Sequence, residues 1–438
     1  MEKISKVAVI PCPSYDQVQV EQAVRDGLRC LGGLNGIVGR EEKILLKLNL
    51  LKKADPDQVI TTHPSVFSAV GRCLKEYGCE EICYGDSPAM QPFQDAARAS
   101  GAEQAAKELG ILPGNFTEHT ALKYPEGRTA KEFTVSKGVV EADAIINICK
   151  MKTHALERIT GAVKNMYGCI YGTHKAAGHA VYPSATHFAS MLCDLHGAVK
   201  PRLHIMDGIV AMEGNGPSSG TPVSMGVLLF SEDPVALDTV FCHLIHLEPS
   251  LVPTNFCGQQ YGIGTMEEEK IRLLTVDRGG FHGESASRLT FEEKRSEGAS
   301  GGEQPAKEAS EKEMPREEAP AEEPPIRVFT MEELVSRWGH PDFSVDRNPA
   351  SEREDWKLLR RVMKPFQQRP QIHPKRCIRC GICVESCPVE GKAVSFKNGR
   401  EKPPVYDYVK CIRCYCCQEM CPKKAIDVKN SWLSRLLR

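Results

Sequence analysis

The sequence predicts an α/β fold, with an open, mostly parallel sheet in a large N-terminal domain, followed by a small α+β domain. Three observations lead to this prediction. Short apolar runs alternate with amphipathic stretches over residues 1–282, the composition changes abruptly at residue 283, and cysteines repeat at fixed spacings near the end. Alternating strands and helices are typical of a parallel sheet covered by helices. A chain of 438 residues is long enough for two or three domains.

Six short apolar runs predict the strands of the large domain, and five amphipathic stretches predict its helices. The predicted strands are KVAVI (6–10), KILLKLNLL (43–51), EEICYGDSP (80–88), DAIINIC (143–149), RLHIM (202–206) and MGVLLF (225–230). The predicted helices cover 18–31, 62–77, 92–109, 184–199 and 234–246. The helix from 62 is expected to start at Thr62-His63-Pro64, because proline fits the first turn of a helix.

Residues 283–326 have a different composition, in which Glu, Ala, Pro, Lys and Ser dominate and large apolar residues nearly vanish. Such a segment buries too little surface to offset its ordering entropy, which predicts an acidic disordered linker or insertion. Residues 327–370 regain aromatic and aliphatic side chains in FTMEELVSRWG and DWKLLRRVM, and we expect short helices that dock the last domain. The small domain is expected at 371–430.

The charge of the chain is balanced overall and uneven along its length. The formal net charge is −1, which gives no case for nucleic acid or a membrane surface as partner. The start, MEKISKVAVIPCPSYD, has no apolar signal-peptide core, and no apolar run approaches the length of a transmembrane segment. Nineteen cysteines without a secretory signal fit a reducing compartment, so we expect a cytoplasmic protein.

Two runs of four cysteines share one internal spacing: Cys377-x2-Cys380-x2-Cys383-x3-Cys387-Pro388 and Cys411-x2-Cys414-x2-Cys417-x3-Cys421-Pro422. Two-cluster ferredoxins bind four-iron four-sulfur (4Fe-4S) clusters with this spacing. Three cysteines at two-residue gaps wrap a tight loop around one face of the cubane, so the fourth thiolate must come from elsewhere. The sequence therefore predicts two 4Fe-4S clusters as cofactors.

In such ferredoxins the fourth cysteine of each run binds the cluster of the other run. We therefore expect one cluster on Cys377, Cys380, Cys383 and Cys421, and the second on Cys411, Cys414, Cys417 and Cys387. Residues 371–430 resemble the bacterial-type two-cluster ferredoxin fold, with two βαβ-like halves related by pseudo-symmetry. Structural zinc is the alternative, but it would leave the third cysteine and the Cys-Pro of each run unexplained. Cys416 is surplus and is interpreted as a bystander.

Two clusters in one small domain predict a relay for low-potential electrons. From residue 371 to the end there are 14 Lys and Arg against 6 Asp and Glu. This surplus of positive charge predicts an acidic redox partner protein, such as a free ferredoxin. The alternative is that these side chains form an ordinary solvated face.

The densest polar segment of the large domain directly follows the predicted strand DAIINIC. It contains Lys150, Lys152, His154, Lys164, Asn165, His174, Lys175, His179 and His187. Ligands of open α/β sheets bind beyond the carboxyl ends of the strands, where this segment begins. Lys and His in that place bind carboxylates or phosphates, or transfer protons near neutral pH. The alternative is a solvated loop, where Lys and His are common.

Acidic residues and glycines follow other predicted strands. Asp86 lies in YGDSP, Asp207 and Glu213 lie in MDGIVAMEGNGP, and Asp233 lies in SEDP. Asp86 and Glu213 are candidate acids or metal ligands, and ordinary turn capping is the alternative for Asp86 and Asp233. The glycines of MDGIVAMEGNGP would let the backbone approach a ligand closely. No flavin-binding fingerprint or Walker loop is present, so an additional flavin or metal in the large domain stays open.

Several of these segments resemble one known family. They are KLNLL, TTHPSVFSAV, YGDSP, KMKTHALERITGAVKNMYG, MDGIVAMEGNGP and SEDPVALD, and they resemble the family called domain of unknown function 362 over most of residues 1–280. Members of this family often carry a C-terminal ferredoxin-like module. The resemblance implies the architecture and a redox role, and it implies no substrate. Its motif positions point to Lys152, His154, Lys164, Asn165 and Asp86 as candidate site residues.

Three functions fit these patterns. The first is an oxidoreductase, in which electrons from the clusters reach a small-molecule substrate or cofactor in the large domain. The second is a non-catalytic ferredoxin-type electron carrier or docking subunit. The third is a non-redox isomerase or hydratase with structural clusters.

Overall fold

The computed structural model describes residues 4–88, 91–172, 174–278, 323–348, 368–397 and 399–429. The strands are β1 Ser5–Pro11, β2 Ile44–Lys47, β3 Ile82–Gly85, β4 Leu112–Pro113, β5 His119–Lys123, β6 Glu132–Ser136, β7 Ala144–His154, β8 Arg158–Thr160, β9 Leu203–Glu213, β10 Thr221–Ser231, β11 Ile271–Val276, β12 Ile326–Phe329, β13 Arg369–Ile372, β14 Val394–Ser395, β15 Val405–Tyr406 and β16 Ile426–Lys429. All six predicted strands of the large domain are present.

The α-helices are α1 Gln17–Leu31, α2 Pro64–Tyr77, α3 Phe93–Ala99, α4 Ala102–Leu109, α5 Lys137–Val140, α6 Ala162–Asn165, α7 His174–Val181, α8 Ala185–Val199, α9 Pro234–Leu244, α10 Pro253–Tyr261, α11 Met331–Trp338, α12 Ile382–Glu385 and α13 Cys416–Glu419. The predicted start of α2 is confirmed, because His63 Nδ1 accepts a hydrogen bond from Ser65 N at 3.2 Å. The predicted helix 92–109 is divided into α3 and α4 by Gly101, which adopts a φ of 77°. No helix among these ranges is long and apolar enough to cross a membrane.

The described part of the large domain is built on a ten-stranded sheet with the order β12-β11-β1-β10-β9-β7-β2-β3-β4, and β8 pairs with β7. The neighbours β4, β3, β2, β7 and β9 are parallel, whereas β10 runs antiparallel to both β9 and β1. Every residue of β2 and β7 is buried, as expected for parallel strands covered on both faces. The predicted α/β class is therefore confirmed.

The segment after the predicted linker joins the large domain. Strand β12 pairs antiparallel with β11, and α11 packs against α9. Thr330 and Glu333 form a reciprocal capping box at the start of α11. We expected 327–370 to dock the last domain, but its first part extends the large domain. DWKLLRRVM lies outside the described residues, as does the predicted linker except for its last four residues.

The small C-terminal domain consists of two similar halves. Strand β13 pairs with β16, β14 pairs with β15, and each cysteine run leads into a short helix, α12 or α13. The backbone repeats as well: Arg379 and Arg413 have φ values of 59° and 63°, and Gly381 and Tyr415 have 89° and 61°. Equal conformations at equivalent positions fit the expected ferredoxin-like α+β domain.

The second half of this domain packs on the large domain through the loop after β9. Gln418 Nε2 donates to Asn215 O at 2.8 Å, and Asn215 Nδ2 donates to Ile426 O at 3.1 Å. The carbonyl oxygen of Glu419 accepts from Ser218 Oγ at 2.8 Å and from Lys52 Nζ at 3.2 Å. The glycine-rich loop was expected to approach a ligand; in the structure it holds the small domain.

We predict that Asn215→Ala loosens this packing, because the side chain bonds both Gln418 and Ile426. Amide hydrogen exchange of peptides from residues 416–429 should become at least about threefold faster when measured by mass spectrometry. Asn115→Ala is the matched control, since the Asn115 side chain contacts only residues of its own loop. Unchanged exchange in Asn215→Ala would contradict the interface.

Candidate functional site

Polar side chains gather where β2, β3 and β7 end, at one edge of the sheet. We call this group the polar centre, and it consists of Lys47, Asn49, Asp86, Lys152, His154, Lys164 and Asn165. Lys47 ends β2, and Asp86 follows β3. Lys152 and His154 are among the last three residues of the buried strand β7. Parallel strands bring these positions together because their carboxyl ends share an edge.

Lys47 and Asp86 form a buried ion pair, with 2.9 Å between Lys47 Nζ and Asp86 Oδ1. Lys47 Nζ also donates to the carbonyl oxygen of Leu48 at 2.6 Å. Asp86 accepts from the backbone N–H groups of Leu50 and Ser87 at 2.5 and 2.8 Å. Only glycine fits beside the pair at position 168, because a Cβ there would meet both charged groups. The carboxylate therefore organises the loops after β2 and β3.

A chain of buried amides connects the polar centre to the interior of the sheet. Asn49 Nδ2 donates to Asn165 Oδ1 at 2.7 Å, and Asn165 Nδ2 donates to Asn147 Oδ1 at 2.7 Å. Asn147 Nδ2 in turn lies 3.0 Å from His204 Nδ1. Each link fixes the orientation of the next amide, so Asn165 is a rigid part of the site.

Lys152 is buried, and its amine has two hydrogen-bond acceptors. Its Nζ donates to Asn49 Oδ1 at 2.9 Å and to Ile60 O at 2.7 Å. Burial, aided by the positive charge of Lys164, lowers the pKa of Lys152 to about 7. A lysine with such a pKa can accept or release a proton near neutral pH.

His154 joins the polar centre to the small domain. Its Nδ1 accepts from the backbone N–H groups of Leu156 and Glu157, each at 3.1 Å. The ring proton therefore resides on Nε2, which lies 3.1 Å from Glu419 Oε1 of helix α13. Burial lowers the pKa of His154, which favours the neutral imidazole, and the N–H on Nε2 is close to Glu419 without being aligned for a hydrogen bond.

Glu419 is the negative group of this contact. Burial by itself would raise the pKa of Glu419, but the neighbouring His154 and Lys164 outweigh it, and the pKa falls to about 2. Lys164 Nζ lies over the aromatic rings of Tyr167 and Phe188, at 5.1 and 5.6 Å from their centroids. Burial lowers the pKa of Lys164 too.

His179 and Lys175 border the polar centre from α7. The ring of His179 stacks on Phe188 with 4.3 Å between centroids, and burial lowers the pKa of His179 to about 3. Burial also lowers the pKa of Lys175 to about 8, although Asp86 opposes this shift. His174, at the start of α7, is exposed, and its ring lies 6.1 Å from that of His119. His174 is thus separate from the other candidate residues, because α7 begins at the surface.

Lys150 belongs to a separate buried group that joins β7 to the neighbouring strand β9. Its Nζ contacts Asp207 Oδ2 at 2.7 Å and Tyr15 OH at 2.6 Å. Tyr15 OH donates to Asp207 Oδ1 at 2.8 Å, and the ring of Tyr15 stacks on His63 at 3.6 Å. These partners satisfy one another, so the group braces β7 against β9.

The sequence interpretation missed Lys47, Asn49 and Glu419. A charged Lys47 inside the apolar run KILLKLNLL was the available signal, because a lysine on a buried strand needs a partner. Glu419 gave no such signal, since its role depends on how the domains pack. Glu213 is not part of the polar centre, and its Oε2 accepts from Ser344 N at 2.7 Å. Among the described residues, no three His, Cys, Asp or Glu side chains lie close enough to hold a single metal ion.

The cysteines of the two runs mix in space as the spacing predicts. One pocket, partly open to solvent, is lined by cysteines of both runs: Cys377, Cys380, Cys383 and Cys421. Burial and the thiols of the other three raise the pKa of Cys383 to about 12. Such a pocket, with three thiols from one run and the fourth from the other, fits a 4Fe-4S cluster.

The second run lies deeper, since Cys411, Cys414 and Cys417 are buried whereas Cys377 and Cys380 are only half-buried. Cys414 and Cys387 are among the groups close enough to Cys411 to raise its pKa, although burial is the larger cause. Backbone N–H groups approach the fourth sulfur of each run: Ala393 N lies 3.4 Å from Cys387 Sγ, and Ala425 N lies 3.2 Å from Cys421 Sγ. Hydrogen bonds to sulfur stabilise thiolate ligands of a cluster and tune its potential.

We predict that Asp86→Ala destabilises the large domain by about 3–5 kcal/mol, because it leaves the Lys47 charge buried without its partner. The measurement is urea unfolding followed by circular dichroism. The double variant Lys47→Met/Asp86→Ala is the matched control and should lose less stability than Asp86→Ala. A double variant less stable than the single one would contradict the buried pair.

We predict a pH signature for Lys152. Between its folded pKa of about 7 and its ordinary value of 10.5, the unfolded state binds more protons than the folded state, so this residue makes stability rise with pH in that window. Lys152→Met removes the contribution. The thermal midpoint of the unchanged protein, minus that of Lys152→Met, should therefore grow with pH. The thermal midpoint of a variant with the exposed Lys123 replaced, Lys123→Met, should change with pH in parallel with that of the unchanged protein. A parallel curve for Lys152→Met would refute the lowered pKa of Lys152.

Comparisons with known proteins agree with this architecture. Residues 44–243 match the family described as domain of unknown function (DUF362), and residues 369–422 match a 4Fe-4S dicluster domain. A thylakoid-associated protein of Synechocystis sp., sll1697, is 32% identical over 268 residues, which cover 61% of this chain and 82% of the relative.

A solved structure with partial similarity is the lactate racemase apoprotein of Thermoanaerobacterium thermosaccharolyticum. It is 12% identical, the alignment covers 56% of this chain and 57% of the racemase, and the TM-score is 0.35. Similarity at that level carries no argument about activity. The sequence relative and the two matched regions show the family: the chain belongs to the domain of unknown function 362 family and carries a 4Fe-4S ferredoxin-type electron-transfer domain after the family region.

Proposed function

We propose that the protein is an oxidoreductase whose substrate binds at the polar centre of the large domain. The C-terminal domain supplies single electrons when its 4Fe-4S clusters are bound. One observation supports this proposal above the others: the second cysteine run packs directly on the polar centre. Glu419 lies two residues after Cys417, and its carboxylate is 3.1 Å from His154 Nε2. Chemistry at the polar centre would thus take place beside the electron-carrying domain.

We propose two clusters with the ligand sets expected from the spacing. Cys377, Cys380, Cys383 and Cys421 hold the first, and Cys411, Cys414, Cys417 and Cys387 hold the second. The shared pocket and the repeated backbone conformations support this assignment. Cys416 occupies the position equivalent to Ile382 in the first run, so we assign it no ligand role.

The residues of the polar centre take different roles in the proposal. Lys164 attracts an anionic group of the substrate, because its amine faces aromatic rings and makes no short ion pair among the described residues. Lys152 exchanges a proton with the reacting substrate near neutral pH. His154 fixes the small domain by its contact with Glu419, and Asn165 orients the site through the amide chain. Asp86 holds Lys47 and the surrounding loops.

The proposed substrate is a small molecule with a carboxylate or phosphate group. Lys47, Lys152, Lys164 and Lys175 bring more positive charge to this edge than Asp86 and Glu419 balance, which favours an anion. A flavin or an additional metal is no part of the proposal. His174 is exposed and has no role in it either.

A second candidate is a carrier or docking subunit without catalysis. One observation favours it: most groups of the polar centre already bond one another, as in the Lys47–Asp86 pair and the Asn49–Asn165 contact. If the polar groups of the site all bond one another, none of them is left to bind a substrate. The site would then only hold the ferredoxin module. Lys164 argues against this reading, because a purely structural lysine would be expected to have an ion-pair partner.

We propose a cytoplasmic location. The ten cysteines outside the two runs are all buried and form no disulfide. Buried free thiols and oxygen-sensitive clusters suit a reducing compartment. One relative is described as thylakoid-associated. Cell fractionation is therefore the direct test of this proposal.

The test uses protein purified without oxygen and reduced chemically. Its reoxidation is followed by stopped-flow absorbance against a panel of carboxylates and phosphates that carry a reducible carbonyl or alkene. We predict that at least one compound reoxidises the protein and that Lys164→Ala slows this reaction by at least about tenfold. Iron, sulfide and EPR spectra should stay unchanged.

His174→Ala is the matched control, because this exposed histidine comes from the same segment and lies outside the polar centre. Its reoxidation rate should equal that of the unchanged protein. Equal rates in Lys164→Ala would remove the proposed site, and a panel without any oxidant would favour the carrier function.

A further inference from the structure

The tetrapeptide Cys-Ile-Arg-Cys occurs twice in the small domain, at 377–380 and at 411–414. The two copies have the same backbone conformation, as the matching φ values of Arg379 and Arg413 show. Their surroundings differ. Ile378 is 55% exposed and Arg379 is exposed, whereas Arg413 is only 8% exposed.

The second copy is covered by residues of its own domain, beside the contact with the large domain. Gln418 and Glu419, which follow the second copy, pack on the loop after β9 and on His154. Arg413 is further held by a hydrogen bond from its Nη1 to Gln368 O at 3.1 Å. The equivalent face of the first copy has no such cover in the part of the chain that the structure describes.

An apolar residue surrounded by cations marks the uncovered copy. We call this surface the outer face; it consists of Ile378, Arg379, Arg400 and Lys423. Ile378, Arg379 and Lys423 line the pocket of the first cysteine set, and Arg400 Nη1 donates to Cys380 O at 3.3 Å. An apolar centre with a charged rim is the usual anatomy of a protein interface.

We propose that the outer face docks an acidic electron-carrier protein. This inference rests on the proposed function and names the redox partner that such a function needs. The exchange moves one electron between the carrier's metal centre and the iron held by Cys377, Cys380, Cys383 and Cys421. One side is oxidised as the other is reduced, and no bond is made or broken.

Charge complementarity selects the partner. The C-terminal region carries 14 Lys and Arg against 6 Asp and Glu, and the outer face presents three of these cations. Cations at a rim attract an acidic protein and speed its association. Nucleic acid or an anionic membrane would also be attracted, but the exposed Ile378 at the centre favours a protein surface with an apolar patch.

The duplicated sequence also explains why the outer face, and not its twin, is available. The two copies could serve a partner equally well by sequence, but packing removes the second one from solvent. The small domain is thus oriented with one run towards the polar centre and the other towards solution. A partner that docks at the outer face does not have to displace the large domain.

The test measures binding, so it is independent of turnover. The probe is a plant-type two-iron ferredoxin, which is acidic, and a basic c-type cytochrome is the opposite-charge control. Calorimetric titration of oxidised, fully loaded protein is carried out at about 20 mM and about 300 mM salt. We expect binding of the ferredoxin that weakens at the higher salt concentration, and no binding of the cytochrome.

Four variants locate the interface. Arg379→Glu/Lys423→Glu should weaken binding of the ferredoxin by at least about tenfold, and Ile378→Glu should weaken it as well. Arg379→Lys should bind normally because it retains the charge. Lys123→Glu makes the same change of charge on exposed strand β5 and should bind as the unchanged protein does. Iron content and EPR spectra verify that each variant is loaded.

Failure of this inference can be told from failure of the proposed function. Lys164→Ala should bind the ferredoxin normally even though its substrate reaction is slow. No binding at low salt, or equal binding by the double charge variant, would overturn the docking surface and leave the polar centre untouched. Binding to vesicles of anionic lipid, without binding to the ferredoxin, would overturn it in favour of a membrane partner.

Discussion

The contact between His154 and Glu419 is the interaction on which the arrangement of this protein depends. Two backbone N–H groups fix the tautomer of His154, so its remaining ring proton is on Nε2, which lies 3.1 Å from a carboxylate oxygen of the small domain. His154 is buried and Glu419 is largely buried, and the nearby positive charge of Lys164 helps to keep the carboxylate ionised there. Packing of the two domains is therefore tied to the polar centre.

This contact determines which half of the small domain faces the large domain. Its two halves are nearly equivalent in spacing and backbone conformation, and only packing distinguishes them. The half with Gln418 and Glu419 is covered, and the half with Ile378 and Arg379 is open. A symmetrical element thus acquires an inner and an outer side, which is the property an electron relay between a soluble protein and a buried site requires.

Much of the fold and part of the site follow from the sequence. Apolar runs identify the buried strands, and cysteine spacing identifies the ferredoxin-type domain, because both patterns are local. Lys152 and His154 were named because they follow the apolar run DAIINIC, and the structure places both near the end of β7 in the polar centre. Glu419 was not, because its importance arises from packing between segments 265 residues apart in sequence. His174 was named as well, but it lies exposed at the start of α7 and apart from the polar centre, and spacing alone does not tell at which depth α7 begins.

The most direct test of this account is a crystal structure of the protein purified without oxygen, with anomalous diffraction measured at the iron edge. We expect iron at both cysteine sets, with the iron of the second run on the side that contacts Asn215 and His154. The iron of the first run should face solvent beside Ile378. A small domain that is detached from the large domain, or turned so that the first run faces His154, would contradict the account.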